Sequence, residues 1–174
     1  MGENSNEYPQ MDYTLYHVSD QILKDPVSMH IPETREYGGG FYTFLDKQDA
    51  INFAKKTGRH VINSYHFNIK RLQNTWITRL HRAILTTMFL NMEDLYITEL
   101  EDPSVELTRL QYDDYFVVPM LQDGMKELEQ KWKACEMPID QCVDLAKKMP
   151  FVQTMVLKTP KAIKRLEWLS AESV

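Results

Sequence analysis

Few residues in this chain of 174 have the types and spacing to do chemistry, and they are scattered. His17 stands in "YTLYHVS", between Tyr16 and Val18. An imidazole there can shuttle a proton or hold a ligand hydroxyl. In most proteins a lone strand histidine is instead a hydrogen-bonded structural residue. Three consecutive glycines, Gly38, Gly39 and Gly40, run into Phe41 and Tyr42. Glycine lets backbone approach a ligand closely or turn through positive φ, and equally forms a plain loop tip. Late in the chain "FVQTMVLKT" carries Gln153, while "DDYFVVPMLQD" offers the carboxylates Asp114 and Asp123. Strand-end and helix-cap roles account for both aspartates, and Asp123 precedes a helical run as an N-cap would.

Several chemistries are excluded by pattern. There is no GxxxxGK[ST], no GxGxxG between a strand and a helix, and no serine-hydrolase or metalloprotease spacing around His17. The two cysteines, Cys135 and Cys142, lack a Cys/His cluster with zinc spacing, so no metal is expected. They read as reduced thiols, and the polar start "MGENSNEYPQ" does not resemble a signal peptide, so the expected compartment is cytoplasmic. No window is apolar enough for a membrane helix. A net charge of −5 disfavours sequence-independent nucleic-acid binding. Two basic runs stand out against it: Lys70, Arg71, Arg79, His81 and Arg82 in one, and Lys158, Lys161, Lys164 and Arg165 in the other. Both read first as solvated helix faces.

The elements that must position these residues follow from pattern. Residues 1–12 read as a disordered tail and 13–174 as one domain. "YTLYHVS" (13–19), "HVINSYHFN" (60–68), "DDYFVVPML" (113–121, ended by Pro119) and "FVQTMVLKT" (151–159) read as strands. Residues 20–40 form a long loop. A helix opens at an Asp46 cap, places Ala50, Phe53 and Ala54 on one face and ends near Gly58. Trp76, Leu80, Ile84 and Met88 predict an amphipathic helix from Thr75 to Met92. "DGMKELEQKWKA", "PIDQCVDLAKK", with Pro138 in its opening turn, and the closing "PKAIKRLEWL" are also read as helices. Mixed rather than alternating order makes the class α+β.

Taken together, "LYHVS", "EYGGGFYTF", "NSYHFN", "DDYFVVPMLQD" and "VQTMVLKT" resemble, in order, the ADP-ribosyltransferase superfamily. The likeness is to its diphtheria-toxin-like His–Tyr–Glu branch, and more closely to a family of small bacterial proteins of that fold. It spans residues 13 to about 169. The resemblance implies a split mixed β-sheet core with flanking helices, and NAD as co-substrate. His17 would bond the adenosine-side ribose and Tyr42 would stack on the nicotinamide ring. Val18 would offer its backbone to the nicotinamide amide, and Ser19 matches the family's Ser/Thr. Gly38, Gly39, Gly40 and Phe41 would frame the cofactor, and Arg35 would meet its diphosphate. The third catalytic position, a glutamate in that branch, falls on Gln153.

Glutamine keeps a hydrogen bond to the ribose and loses the charge that stabilises an oxocarbenium-like state. At ~4 Å and an effective dielectric near 20, that loss approaches ~4 kcal/mol, or up to roughly a thousandfold in rate. The expected function is an NAD-dependent ADP-ribosyltransferase acting on a macromolecular acceptor, protein or nucleic acid. The resemblance further implies an intracellular toxin or modifier with a neutralising antitoxin-like partner. The alternative is a catalytically silent NAD-binding or protein-interaction module of the same fold.

Overall fold

The computed structural model describes residues 10–26, 40–78, 112–121 and 124–174. Among the described residues, seven strands form one mixed sheet. They are β1 (Asp12–Ser19), β2 (Phe41–Phe44), β3 (Val61–Asn68), β4 (Asn74–Trp76), β5 (Tyr115–Leu121), β6 (Phe151–Leu157) and β7 (Glu167–Ser173), in the spatial order β4-β5-β6-β2-β1-β3-β7. Helix α1 (Lys47–Thr57) follows β2, α2 (Met125–Lys133) and α3 (Ile139–Ala146) precede β6, and the short α4 (Pro160–Ile163) separates β6 from β7. The expected α+β class is the one observed.

Pairing is uneven across the sheet. β1 and β3 run antiparallel in register from Asp12↔Asn68 to Ser19↔Val61. β5 and β6 are likewise antiparallel from Tyr115↔Leu157 to Leu121↔Phe151, while the parallel β4–β5 pair covers three residues of each strand. Between β1 and β2 there is a single registered pair, Tyr16↔Phe44. That pair is the registered backbone link between the group β4-β5-β6-β2 and the group β1-β3-β7, which also pack together through both cores.

Strand alternation sends side chains to two faces. On one face Leu15, Tyr65, Phe67, Tyr115, Met155 and Leu157 pack with Ala162 and Ile163 of α4. On the other, Val18, Phe44, Ile62, Met120 and Val152 meet Ala50 and Ala54 of α1. The start and stop of α1 are as read. Asp46 Oδ1 accepts from the backbone N–H of Gln48 at 2.8 Å and of Asp49 at 3.2 Å, and Gly58 closes the helix at φ 72°. Only a residue tolerant of the left-handed region closes a helix that way.

Five boundaries differ from expectation. Thr75 and Trp76 belong to β4, not to a helix, because Asn74–Trp76 pair with Tyr115–Val117; the remainder of the expected helix, from residue 79, lies outside the described residues. Pro119 does not end β5 but sits within it opposite Gln153. The described part of β4 ends at Trp76, opposite Val117, while Pro119 keeps the register of β5 on β6. The N-cap of α2 is Gly124, at φ 82° and without a side-chain cap, rather than Asp123, which lies outside the described residues. Pro138 is the N-cap of α3 rather than a residue of its first turn. Finally, "PKAIKRLEWL" is helical only through Ile163; from Glu167 the chain gains a ladder along β3, from His66↔Glu167 to Val61↔Ser173.

Candidate functional site

Past the Tyr16↔Phe44 pair, β1 and β2 share no further registered residues, and the His17 ring occupies the junction. Its Nδ1 lies 2.7 Å from the Tyr42 carbonyl oxygen, and the ring stacks on Phe41 with centroids 4.2 Å apart and planes at 22°. A carbonyl oxygen only accepts, so Nδ1 carries the proton in this bond. In the neutral ring Nε2 is then an acceptor. This is the opposite polarity from the Nε2–H donor form, and it follows from the backbone of β2 alone.

Beside this junction is a small pocket on the α1 face of the sheet. His17, Val18 and Tyr42 line it together with Phe44, Phe53, Met120, Thr43 and Thr154. Phe44 and Phe53 are 5.2 Å apart between centroids, tilted by 47°. Tyr42 is 7% exposed and Val18 3%, so the tyrosine wall of the pocket is largely covered. Phe53 lies on the sheet-facing side of α1, as its spacing from Ala50 and Ala54 predicts. Its ring does double duty, packing on Phe44 and bounding the pocket.

The structure brings His17, Val18 and Tyr42 to one place, but not Gln153. Tyr42 is registered with Val156, and Phe44 with Thr154, so Thr154 and Val156 share the face of the pocket. Gln153 alternates to the other face with Met155, beyond the end of β2. That face also carries Phe41 and the His17 ring stacked on it, so it is Tyr42 and Val18 that Gln153 faces away from. A shift of one residue along a strand reverses every side chain's face. Thr154, not Gln153, is therefore the β6 residue that lines the pocket. Its hydroxyl is 1% exposed at the residue level and donates to the Val118 carbonyl at 3.1 Å. The Gln153 Oε1 is buried without a hydrogen-bond partner. Strand alternation, with Val152 and Thr154 on one side of "FVQTMVL", was the available signal for this placement.

The other sequence candidates divide in three. Arg35, Gly38 and Gly39 lie outside the described residues. Gly40 is explained by close approach to β6: a Cβ there would meet Val156 Cγ1 at 2.8 Å and the Leu157 carbonyl oxygen at 3.1 Å. Ser19 Oγ accepts weakly from the Gln21 amide at 3.3 Å, turning the chain as it leaves β1. Asp114 is remote from the pocket and fully engaged, accepting from Thr159 Oγ1 at 2.7 Å and from the Gln73 amide at 2.9 Å, with Lys161 Nζ at 3.7 Å. It ties the start of β5 to the turn after β3 and to α4. Cys142 is buried against the Leu128 carbonyl, and burial pushes its thiol pKa up, whereas Cys135 is exposed. Among the described residues no group of three or more His, Cys, Asp and Glu is placed to hold a metal ion, and no helix is long and apolar enough to cross a membrane.

Fold and site together define an α+β protein whose seven-stranded mixed sheet is pinched at the β1–β2 junction, with a His- and Tyr-lined pocket at the pinch. Residues 13–168 match the family model described as protein of unknown function (DUF3990), and the chain belongs to that family. Neither a curated protein nor a solved structure matches it.

Proposed function

We propose that this protein is an NAD-dependent ADP-ribosyltransferase that passes ADP-ribose to a macromolecular acceptor in the cytoplasm. The observation that best supports this reading is the meeting of His17, Val18 and Tyr42 at one pocket, with His17 Nδ1 bonded to the Tyr42 carbonyl at 2.7 Å. That bond makes Nε2 of the neutral ring an acceptor, to which a ribose hydroxyl can donate. Tyr42 and Phe53 offer aromatic faces to a flat heterocycle once the ligand uncovers Tyr42. In the reaction the nicotinamide–ribose bond breaks, its electron pair leaves with neutral nicotinamide, and an acceptor lone pair forms the new bond to ribose C1′ as the acceptor sheds its proton.

One observation favours a second reading, a catalytically silent NAD-binding or protein-interaction module. Among the described residues lining the pocket there is no carboxylate, because β6 presents Thr154 there. The charge stabilisation forgone is up to ~4 kcal/mol at ~4 Å and an effective dielectric near 20.

The test is label transfer from NAD to proteins and nucleic acids of a cell lysate, read beside nicotinamide release and an NAD-dependent thermal shift. The variants are His17→Ala, Gln153→Ala, Gln153→Glu and Thr154→Glu. Transfer by the wild type that His17→Ala abolishes supports the transferase. A shift with no transfer by any variant supports the silent module. Absence of both transfer and shift overturns NAD recognition altogether. If transfer occurs, its loss in Gln153→Ala would mean that Gln153 turns into the pocket when NAD binds.

A further inference from the structure

The two basic runs of the sequence, some ninety residues apart, meet in the fold. The turn after β3 carries Lys70 and Arg71, and α4 with the turn after it carries Lys161, Lys164 and Arg165. Arg165 Nη1 donates to the Asn68 carbonyl at 3.2 Å and to the Lys70 carbonyl, and Lys161 Nζ donates to the Arg71 carbonyl at 3.3 Å. The segments are thus bolted together by their own cations. Five of the chain's twenty Lys and Arg fall within seven positions, 70–71 and 161–165, which contain no Asp or Glu. Lys161 shares its charge with Asp114, leaving Lys70, Arg71, Lys164 and Arg165 as net positive charge. In a chain of net charge −5 this is a local reversal of sign.

Exposed aromatics adjoin the patch. Tyr112, 72% exposed, lies two residues before Asp114, the carboxylate that holds Lys161. Trp76, 40% exposed, lies three residues beyond Gln73, whose amide binds that same carboxylate. Its ring meets Tyr13 at 5.9 Å and Tyr115 at 6.5 Å between centroids, so its exposed part is what a base could reach. Three residues of extended chain span about 10 Å. The backbone of both aromatic residues is therefore within about 10 Å of the residues that anchor Lys161.

We infer that this surface binds single-stranded nucleic acid, the cations taking backbone phosphates while Tyr112 and Trp76 offer stacking faces to bases. A clustered positive charge alone would suit any polyanion; the exposed rings beside it select unpaired bases, because base–aromatic stacking needs a free π-face. The inference does not depend on the reading of the His17 pocket.

The test is fluorescence anisotropy of the full chain with a labelled mixed-sequence single-stranded RNA and its DNA counterpart, between 50 and 200 mM salt. With four phosphates engaged, affinity should fall about fiftyfold across that range, from a slope of about −0.7 per contact. Lys70→Gln with Lys164→Gln, both exposed, should bind more weakly and reduce the salt effect to about sevenfold. Tyr112→Ala should weaken binding without changing the salt slope. The same change in net charge elsewhere, Lys55→Gln with Lys148→Gln, should leave both unaltered. Melting curves report whether each variant is folded. No oligonucleotide binding, or equal loss in the two double variants, overturns the inference. Binding of poly-glutamate or of phosphatidylserine vesicles as tightly as RNA also overturns it, in favour of an acidic protein or a membrane.

Discussion

Asn63 offers the sharpest test of how the pocket is held. It is fully buried on β3, on the face opposite α1, and its amide is the anchor for the segment leaving β1. Oδ1 accepts from the Leu23 amide at 2.9 Å and from Trp168 Nε1 at 3.4 Å, while Nδ2 donates to the Gln21 carbonyl at 3.0 Å. The Tyr65 hydroxyl donates to the Leu23 carbonyl at 2.5 Å beside it. This clamp lies only a few residues beyond Val18 and Ser19 and sets where the chain departs towards the glycines. Asn63→Leu keeps the volume and removes every bond. The Leu23 amide, on a residue 7% exposed, would then be orphaned at a cost of ~1–3 kcal/mol, and the bond to Gln21 is worth ~1 kcal/mol more. The expected loss is about 2–4 kcal/mol, or a Tm lowered by roughly 5–15 °C for a chain of this size. Thermal denaturation measures the total, and hydrogen exchange at the Leu23 amide reports the clamp itself. Asn63→Asp keeps an acceptor for Leu23 and should preserve that amide's protection while losing the bond to Gln21. If Asn63→Leu melts with the wild type and Leu23 stays protected, the clamp is decorative and the reasoning fails.

Gly40→Ala should cost about 1–3 kcal/mol by overpacking, since its Cβ would sit 2.8 Å from Val156 Cγ1 and 3.1 Å from a backbone oxygen that cannot turn aside; a urea midpoint equal to wild type would refute the close approach of β2 to β6. Asp114 makes stability depend on acid. Burial raises its carboxyl pKa, but hydrogen bonds from Thr159 and the Gln73 amide, with the Lys161 ammonium, outweigh that and hold it below the ordinary carboxylate value. Its contribution is therefore complete above the unfolded pKa, near ~3.9, and is lost as pH falls through the lower folded value. Asp114→Asn should be less stable than wild type at pH 7, with the gap narrowing below about pH 4; a gap that stays constant would show that the carboxylate is not what holds the turn.

Much of the fold was legible because local signals dominate it. Asp46 and Gly58 bound α1 by capping chemistry that needs no knowledge of distant chain, and the aromatic and β-branched run of "HVINSYHFN" makes a strand wherever it lies. The failures came where a distant partner decided. "EWLSAES" after a good helix start is drawn into a strand because β3 offers its free flank there. Thr75 and Trp76 leave helical periodicity for β4 because β5, some forty residues on, pairs with them. Pro119 stays inside a strand because β5 keeps its register on β6 through it, opposite Gln153.

The site shows the same division one level finer. Residue type and order were enough to single out His17 and Tyr42, and the bond between His17 Nδ1 and the Tyr42 carbonyl joins them through backbone rather than ring. The β6 position turned on a single step of register. Gln153 carries the more suggestive chemistry, yet the pairing Phe44↔Thr154 fixes which side chain can face Tyr42. A polar residue chosen for its chemistry has to survive the parity of its strand. On a strand whose neighbours Val152 and Thr154 are both buried while Gln153 is half-buried, parity separates the two faces before any ligand is considered. A Thr154→Glu variant that gains label transfer where Gln153→Glu does not would place the catalytic position by register. The reverse result would put the catalytic position on the opposite face of β6, the face that carries the His17 ring against Phe41.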